Sequence, residues 1–185
     1  MYQRYEASAT TFIHLADVTS PSILGQLTGN IWMTRAWTAQ ELLAAKSIRF
    51  YTRDWKPYLS DTRSNHKESP EIMQELAGAI GINRETLVAF HPNALSVREK
   101  LRLASTRHAT VEEDVAYALI GIFQSDIILH YGEGNAALGR LLEEIVARSG
   151  EVTVRAWSGT SSSYNSCNLR YVQRISLPRP LIKSS

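Results

Sequence analysis

Cysteine is almost missing from this 185-residue chain: Cys167 stands alone, which excludes an intrachain disulfide framework and suits a reducing cytosol or nucleus. Long apolar runs are missing too. No stretch approaches the roughly 20 residues needed to span a bilayer, and "MYQRYEASAT" has no apolar core behind a basic start, so neither membrane insertion nor export is expected. Acids are absent after Glu151, where Arg155, Arg170, Arg174, Arg179 and Lys183 remain, leaving residues 1–151 with 15 basic against 18 acidic groups. A mildly acidic body and five dispersed cations do not form a polyanion-binding stripe, which argues against nucleic acid. The five histidines show no metal-ligand spacing, and neither a Walker loop nor a nucleophile elbow is present. "YGEGN" is too short to cradle a phosphate and reads as a turn in which Gly132 or Gly134 supplies an unusual φ.

What is present is a soluble-protein composition, 44% hydrophobic and 21% charged. "TTFIHL" (Thr10–Leu15) and "SIRFYT" (Ser47–Thr52) are β-branched and aromatic and read as strands. Between them lie a loop punctuated by Pro21, Gly25 and Gly29 and a helical stretch over 31–45. Strand, helix, strand in this order predicts a βαβ unit with parallel strands. From Ser69 the pattern turns helical. Ser69 and Pro70 open a helix with Ile72, Leu76 and Ile80 on one face. "LSVREKLRLAST" sets Leu95, Leu101 and Val97 inward. "TVEEDVAYALIGIF" places Thr110 and Glu113 at capping-box spacing, with Val111, Val115, Leu119 and Ile122 on one stripe. "NAALGRLLEEIVARSG" turns Leu138, Leu141, Leu142, Ile145 and Val146 inward, stops at Gly150, and offers Arg140–Glu144 and Glu144–Arg148 pairs outside. "SGTSSSYNSCN" reads as a flexible linker before a basic tail.

Three of the four tryptophans fall between Trp32 and Trp55, and Glu41 is the one charge from Ala36 to Ala45. Two local readings of Glu41 stand side by side. Thr38 followed by Glu41 is a capping box, in which the carboxylate bonds back to the Thr38 N–H. Alternatively Asn30 caps a longer helix, and Glu41 then lies mid-helix one turn after Trp37, a carboxylate beside an indole.

"RAWTAQELLAAKSIRFYTRDW" resembles the Arg-Gly-Trp-Thr-Leu-Gln-Glu-Leu-Leu signature of fungal heterokaryon-incompatibility (HET) domains, with Ala36 in place of the usual Gly and Ala45 in place of the usual Pro. "MYQRYEASATTFIHLADV" is similar to the segment preceding that signature, and "STRHATVEEDVAYALIGIFQSDIILHYGEGNAALGRLLEEIVARS" to the helical region that follows the domain. The resemblance implies an α/β, helix-rich chain: residues 1–60 the C-terminal portion of a HET domain, 61–157 its helical extension, 158–185 the Ser-rich basic tail. It also implies that the family's N-terminal half is absent and that the opening helix is truncated.

HET domains are similar in turn to Toll/interleukin-receptor (TIR) domains, whose Trp-Cys-x-x-Glu-Leu helix matches Trp37 to Leu42. In catalytic TIR domains that glutamate serves the cleavage of nicotinamide from NAD. The resemblance therefore implies Glu41 as the catalytic residue, Arg35 and Trp37 as substrate-binding residues, NAD as substrate and no metal or cofactor. The chemistry is sound: breaking an N-glycosidic bond builds positive charge on the ribose, which a carboxylate can stabilise. The expected setting is a fungal self/non-self recognition protein of the cell-death type, with homotypic association or a NOD-like receptor as partner. The rival reading is a non-catalytic signalling module, and a third is a fragment without autonomous function.

Overall fold

The β-branched and aromatic residues of Thr11–Leu15 (β1) and Ile48–Thr52 (β2) pair in parallel, Thr11 opposite Ile48 and Leu15 opposite Thr52. The computed structural model describes residues 1–151, so the expected tail over 158–185 and the end of the helical extension lie outside the described residues. Helix α1 (Tyr2–Glu6) precedes the sheet, and α2 (Ile31–Thr34) and α3 (Thr38–Ala44) form the crossover. After β2 come 3-10 turns and helices α4 (Pro70–Ile80), α5 (Arg84–Val88), α6 (Val97–Ser105), α7 (Asp114–Phe123) and α8 (Ala136–Ser149). The fold is α/β, helix-rich, with a two-stranded parallel sheet followed by helices. Among the described residues no helix is long and apolar enough to cross a membrane.

The helix expected over 31–45 is two helices. Asn30 does cap the first, its Oδ1 accepting from Trp32 N at 2.8 Å. At Arg35 the backbone turns extended (ψ 139°) and bridges to His108. Ala36 N donates to His108 O at 2.9 Å, and His108 N to Thr34 O at 2.8 Å. These long-range bonds replace intrahelical ones, so the register restarts at Thr38 and no local signal marks the break.

One hydrophobic cluster runs from Ile13 in β1 to Ile145 in α8. At its centre is α7, apolar on most sides, packed against α1, α3, α6 and α8. Gly121 allows the closest of these contacts, since a Cβ there would fall 2.2 Å from Tyr2 Cβ in α1.

Capping succeeds and fails for identifiable reasons. Ser96 and Glu99 form a reciprocal capping box on α6. The box expected from Thr110 and Glu113 does not form, because α7 begins at Asp114. Glu113 Oε1 instead accepts from Gly132 N (2.7 Å) and Gly134 N (2.9 Å), two glycines at φ 99° and 54°. These backbone bonds, with Gly134 foremost, hold the Glu113 carboxyl below the usual range. Val111, expected inward, precedes the helix and is exposed. Arg140 pairs with Glu133 rather than Glu144, leaving Glu144 to Arg148 at 3.2 Å.

His66, fully buried, accepts from Phe50 N through Nδ1 at 3.0 Å, which requires the neutral ring to carry its proton on Nε2, 3.2 Å from Asp61 O. Burial, the largest cause, holds its pKa below 6.5. The unfolded chain takes up a proton near pH 6.5 that the folded ring refuses until lower pH. This stability is therefore complete above 6.5 and lost as pH falls through the folded value. Urea midpoints measured from about pH 7.5 to about pH 5 should fall accordingly. The slope should flatten in His66→Asn, whose Oδ1 still accepts from Phe50 N.

Only one face of the sheet is covered. Ile13, Leu15, Ile48, Phe50 and Thr52 are buried, whereas Phe12 and nearby Trp55 are more than 60% exposed. On that open face His14 stacks on Trp55 at 4.6 Å, and Arg49 lies 5.2 Å from the Tyr51 ring. Parallel sheets are ordinarily covered on both faces, and an exposed aromatic patch promotes association. Sedimentation velocity should show self-association of the full chain, reduced by Phe12→Lys and Trp55→Lys. A monodisperse monomer at high concentration would contradict this.

Candidate functional site

The break at Arg35 places Glu41 in the first turn of α3, with Trp32 of α2 turned back towards it. Glu41 is half-buried, and both its oxygens are engaged: Tyr5 Oη of α1 donates to Oε1 at 3.1 Å and Trp32 Nε1 to Oε2 at 2.9 Å. The capping box with Thr38 is absent. Thr38 is already helical, the residue before it is Trp37 with αR backbone angles, and no side chain caps this end. Glu41 thus joins α1, α2 and α3 through two neutral donors. Burial first, and the Glu41 charge second, push the Tyr5 phenol up to about 12, so it donates throughout the physiological range.

Under α3 lies Arg107, 3% exposed. Its Nη1 donates to Arg35 O at 3.0 Å and to the Thr38 hydroxyl, and its Nε donates to Leu103 O at 3.1 Å. The Thr38 hydroxyl in turn spans the carbonyls of Trp32 and Arg35, each 2.7 Å away. Burial pulls the guanidinium pKa down to about 10 against the opposing attraction of Glu41. A buried cation near a half-buried carboxylate, both rich in hydrogen bonds, makes the α2–α3 junction a polar hub within an apolar core. Trp32, largely buried, carries the hub to the sheet, packing edge-on to Phe50 at 5.5 Å. Asp17 anchors the far side: its Oδ2 accepts from Ile31 N at 2.9 Å and its Oδ1 from Asn30 Nδ2.

The three residues named from sequence do not converge. Arg35 is exposed, and its carbonyl, rather than its guanidinium, takes part in the hub. Trp37 is half-buried and lines a cavity together with Gln40, and the indole that donates to Glu41 is Trp32. Tyr5, Asp17, Trp32 and Arg107 belong to the site and went unread. Trp32 had a signal in the crowded tryptophans, and Asp17 in its place two residues past the first strand. Tyr5 and Arg107 lie 36 and 66 positions from Glu41 and left none. Among the described residues, no group of three His, Cys, Asp or Glu side chains is placed to hold a metal ion.

Among curated proteins this chain is similar to the vegetative incompatibility protein HET-E-1 of Podospora anserina, 33% identical over 154 residues. The alignment covers 78% of this chain, which spans only 11% of that protein's length. No protein-family model matches. No solved structure matches.

Proposed function

We propose that this chain is a module of a heterokaryon-incompatibility protein, acting in the cytoplasm in self/non-self recognition that ends in cell death. Its similarity to a vegetative incompatibility protein carries this reading. Within the module, Glu41 works as a clamp. Its two oxygens are occupied by Tyr5 and Trp32, an arrangement that fastens α1 across the crossover helices rather than offering a carboxylate to a substrate. The open aromatic face of the sheet supports association, with a second copy or a receptor-type partner, as the module's mode of action.

A TIR-like NAD hydrolase is the second reading, favoured by one feature of the hub: a carboxylate held between an indole and a phenol, with a guanidinium acting on it. In that reaction the bond from nicotinamide nitrogen to ribose carbon breaks, and nicotinamide leaves neutral with the bonding pair. Glu41 stabilises the ribosyl cation until water adds and releases a proton. Arg35 would meet a phosphate of NAD, and Trp37, one turn before Glu41, would shelter the site.

Glu41→Gln separates the two readings. The glutamine oxygen accepts from Trp32 Nε1 and its amide donates to the Tyr5 oxygen, so the clamp survives while the charge goes. Unchanged activity of the full-length protein supports the clamp. A large fall with the fold intact supports catalysis.

A further inference from the structure

On another side of α3 from Glu41, the neighbouring residue Gln40 is 1% exposed and forms part of the wall of a cavity of about 450 Å³. Its Nε2 donates to Ala118 O at 2.7 Å, which fixes the amide orientation because a carbonyl can only accept. Gln40 Oε1 is thereby turned away from that bond and has no donor among the described residues. A buried acceptor left unpaired costs desolvation without return, and native proteins keep few of them.

The cavity lies between α1, α3, α7 and the 124–129 loop, with Tyr2, Trp37, Tyr117, Ile120 and Ile127 on its walls. Its volume is in the range of small-molecule sites. Tyr117 has no hydroxyl to offer an occupant, because its Oη donates to Glu133 at 2.6 Å and accepts from His130 N at 2.8 Å. The charged side chains lining the cavity are Glu6 and Asp126, and no lysine or arginine joins them. Met1 also lines the cavity, and against the single charge of its ammonium the two carboxylates leave the balance unfavourable to an anion. Aromatic and branched aliphatic walls favour a ring, and the orphaned oxygen asks for a donor.

We propose that this cavity is a binding site for a flat aromatic small molecule, neutral or cationic, whose N–H or O–H donates to Gln40 Oε1. The site is independent of the role given to Glu41, and it stands or falls without it.

Saturation-transfer NMR and calorimetry on the full 185-residue chain test it with four probes: indole, 1-methylindole, tryptamine and indole-3-propionate. Indole and tryptamine should bind. Removing the donor in 1-methylindole should weaken binding at least tenfold, and the anionic indole-3-propionate should bind weakest. Gln40→Met should abolish the preference for indole over 1-methylindole. Leu129→Arg, at an exposed position of the rim, should weaken tryptamine while leaving the fold intact. If Gln40→Met fails to fold, the indole pair on the unmodified chain and Leu129→Arg still decide. Equal binding of indole and 1-methylindole, or no binding of any probe at millimolar concentration, would overturn the proposal, the second result meaning that water alone serves Gln40.

Discussion

Replacing Arg107 with methionine should cost about 3 kcal/mol or more, because the stem is kept while every donor is lost. Three acceptors take hydrogen bonds from the guanidinium: Leu103 O, Arg35 O and the Thr38 hydroxyl. The position is nearly closed to solvent, so water cannot replace the lost donors without opening the core. Burial lowers the guanidinium pKa to about 10 while the charge of Glu41 opposes the shift, so methionine removes that charge partner along with the donors. Lysine should therefore rescue only partly, since it lacks the planar fork that reaches acceptors in two directions. At roughly 2–4 °C per kcal/mol for a chain of this size, the methionine variant should melt about 6–12 °C lower by calorimetry, with lysine between it and wild type.

Glu41→Ala should be the next most damaging change, at about 2–3 kcal/mol. It strands Trp32 Nε1, which is largely buried, and the Tyr5 hydroxyl together. The loss should be local before it is global. Helix α1 is five residues long with no side-chain cap, so freeing Tyr5 removes a principal tie to α3. Hydrogen exchange should show protection lost first in Tyr2–Glu6, below the concentration of urea that unfolds the rest. Glu41→Gln should lie within about 0.5 kcal/mol of wild type, since the amide can satisfy both partners.

The contrast between these two residues shows how far the sequence could be read. The strands and the crossover followed from β-branched runs and element order, and β1 and β2 pair in parallel as expected. Helices α4, α6, α7 and α8 followed from their stripes, and α4 begins after Ser69 with Pro70 in its first turn as expected, although the Ser69 side chain makes no cap bond; α5 carried no stripe to read. Glu41 was legible as an isolated carboxylate among tryptophans, but its partners were not. The capping-box pattern at Thr38 is real as a spacing and empty as a contact. The Arg35–His108 bridge, formed between residues 73 positions apart, decides where α3 starts. Glu113 repeats the lesson, matching a cap locally while two glycines some twenty residues later take its oxygen. Local spacing proposes a bond, and tertiary donors outcompete it wherever they reach the same oxygen first.

The clamp reading of Glu41 meets its most direct test in the full-length protein that carries this segment, expressed in fungal cells with wild type, Glu41→Gln and Glu41→Ala compared side by side. Cell death and NAD content are the two readouts, with protein abundance checked for each variant. The clamp predicts that Glu41→Gln kills as wild type does, with NAD content unchanged from wild type, while Glu41→Ala loses activity through loss of folded protein. A fall of a hundredfold or more in NAD cleavage for Glu41→Gln, with the protein folded and abundant, would contradict it and establish the carboxylate charge as the catalytic group.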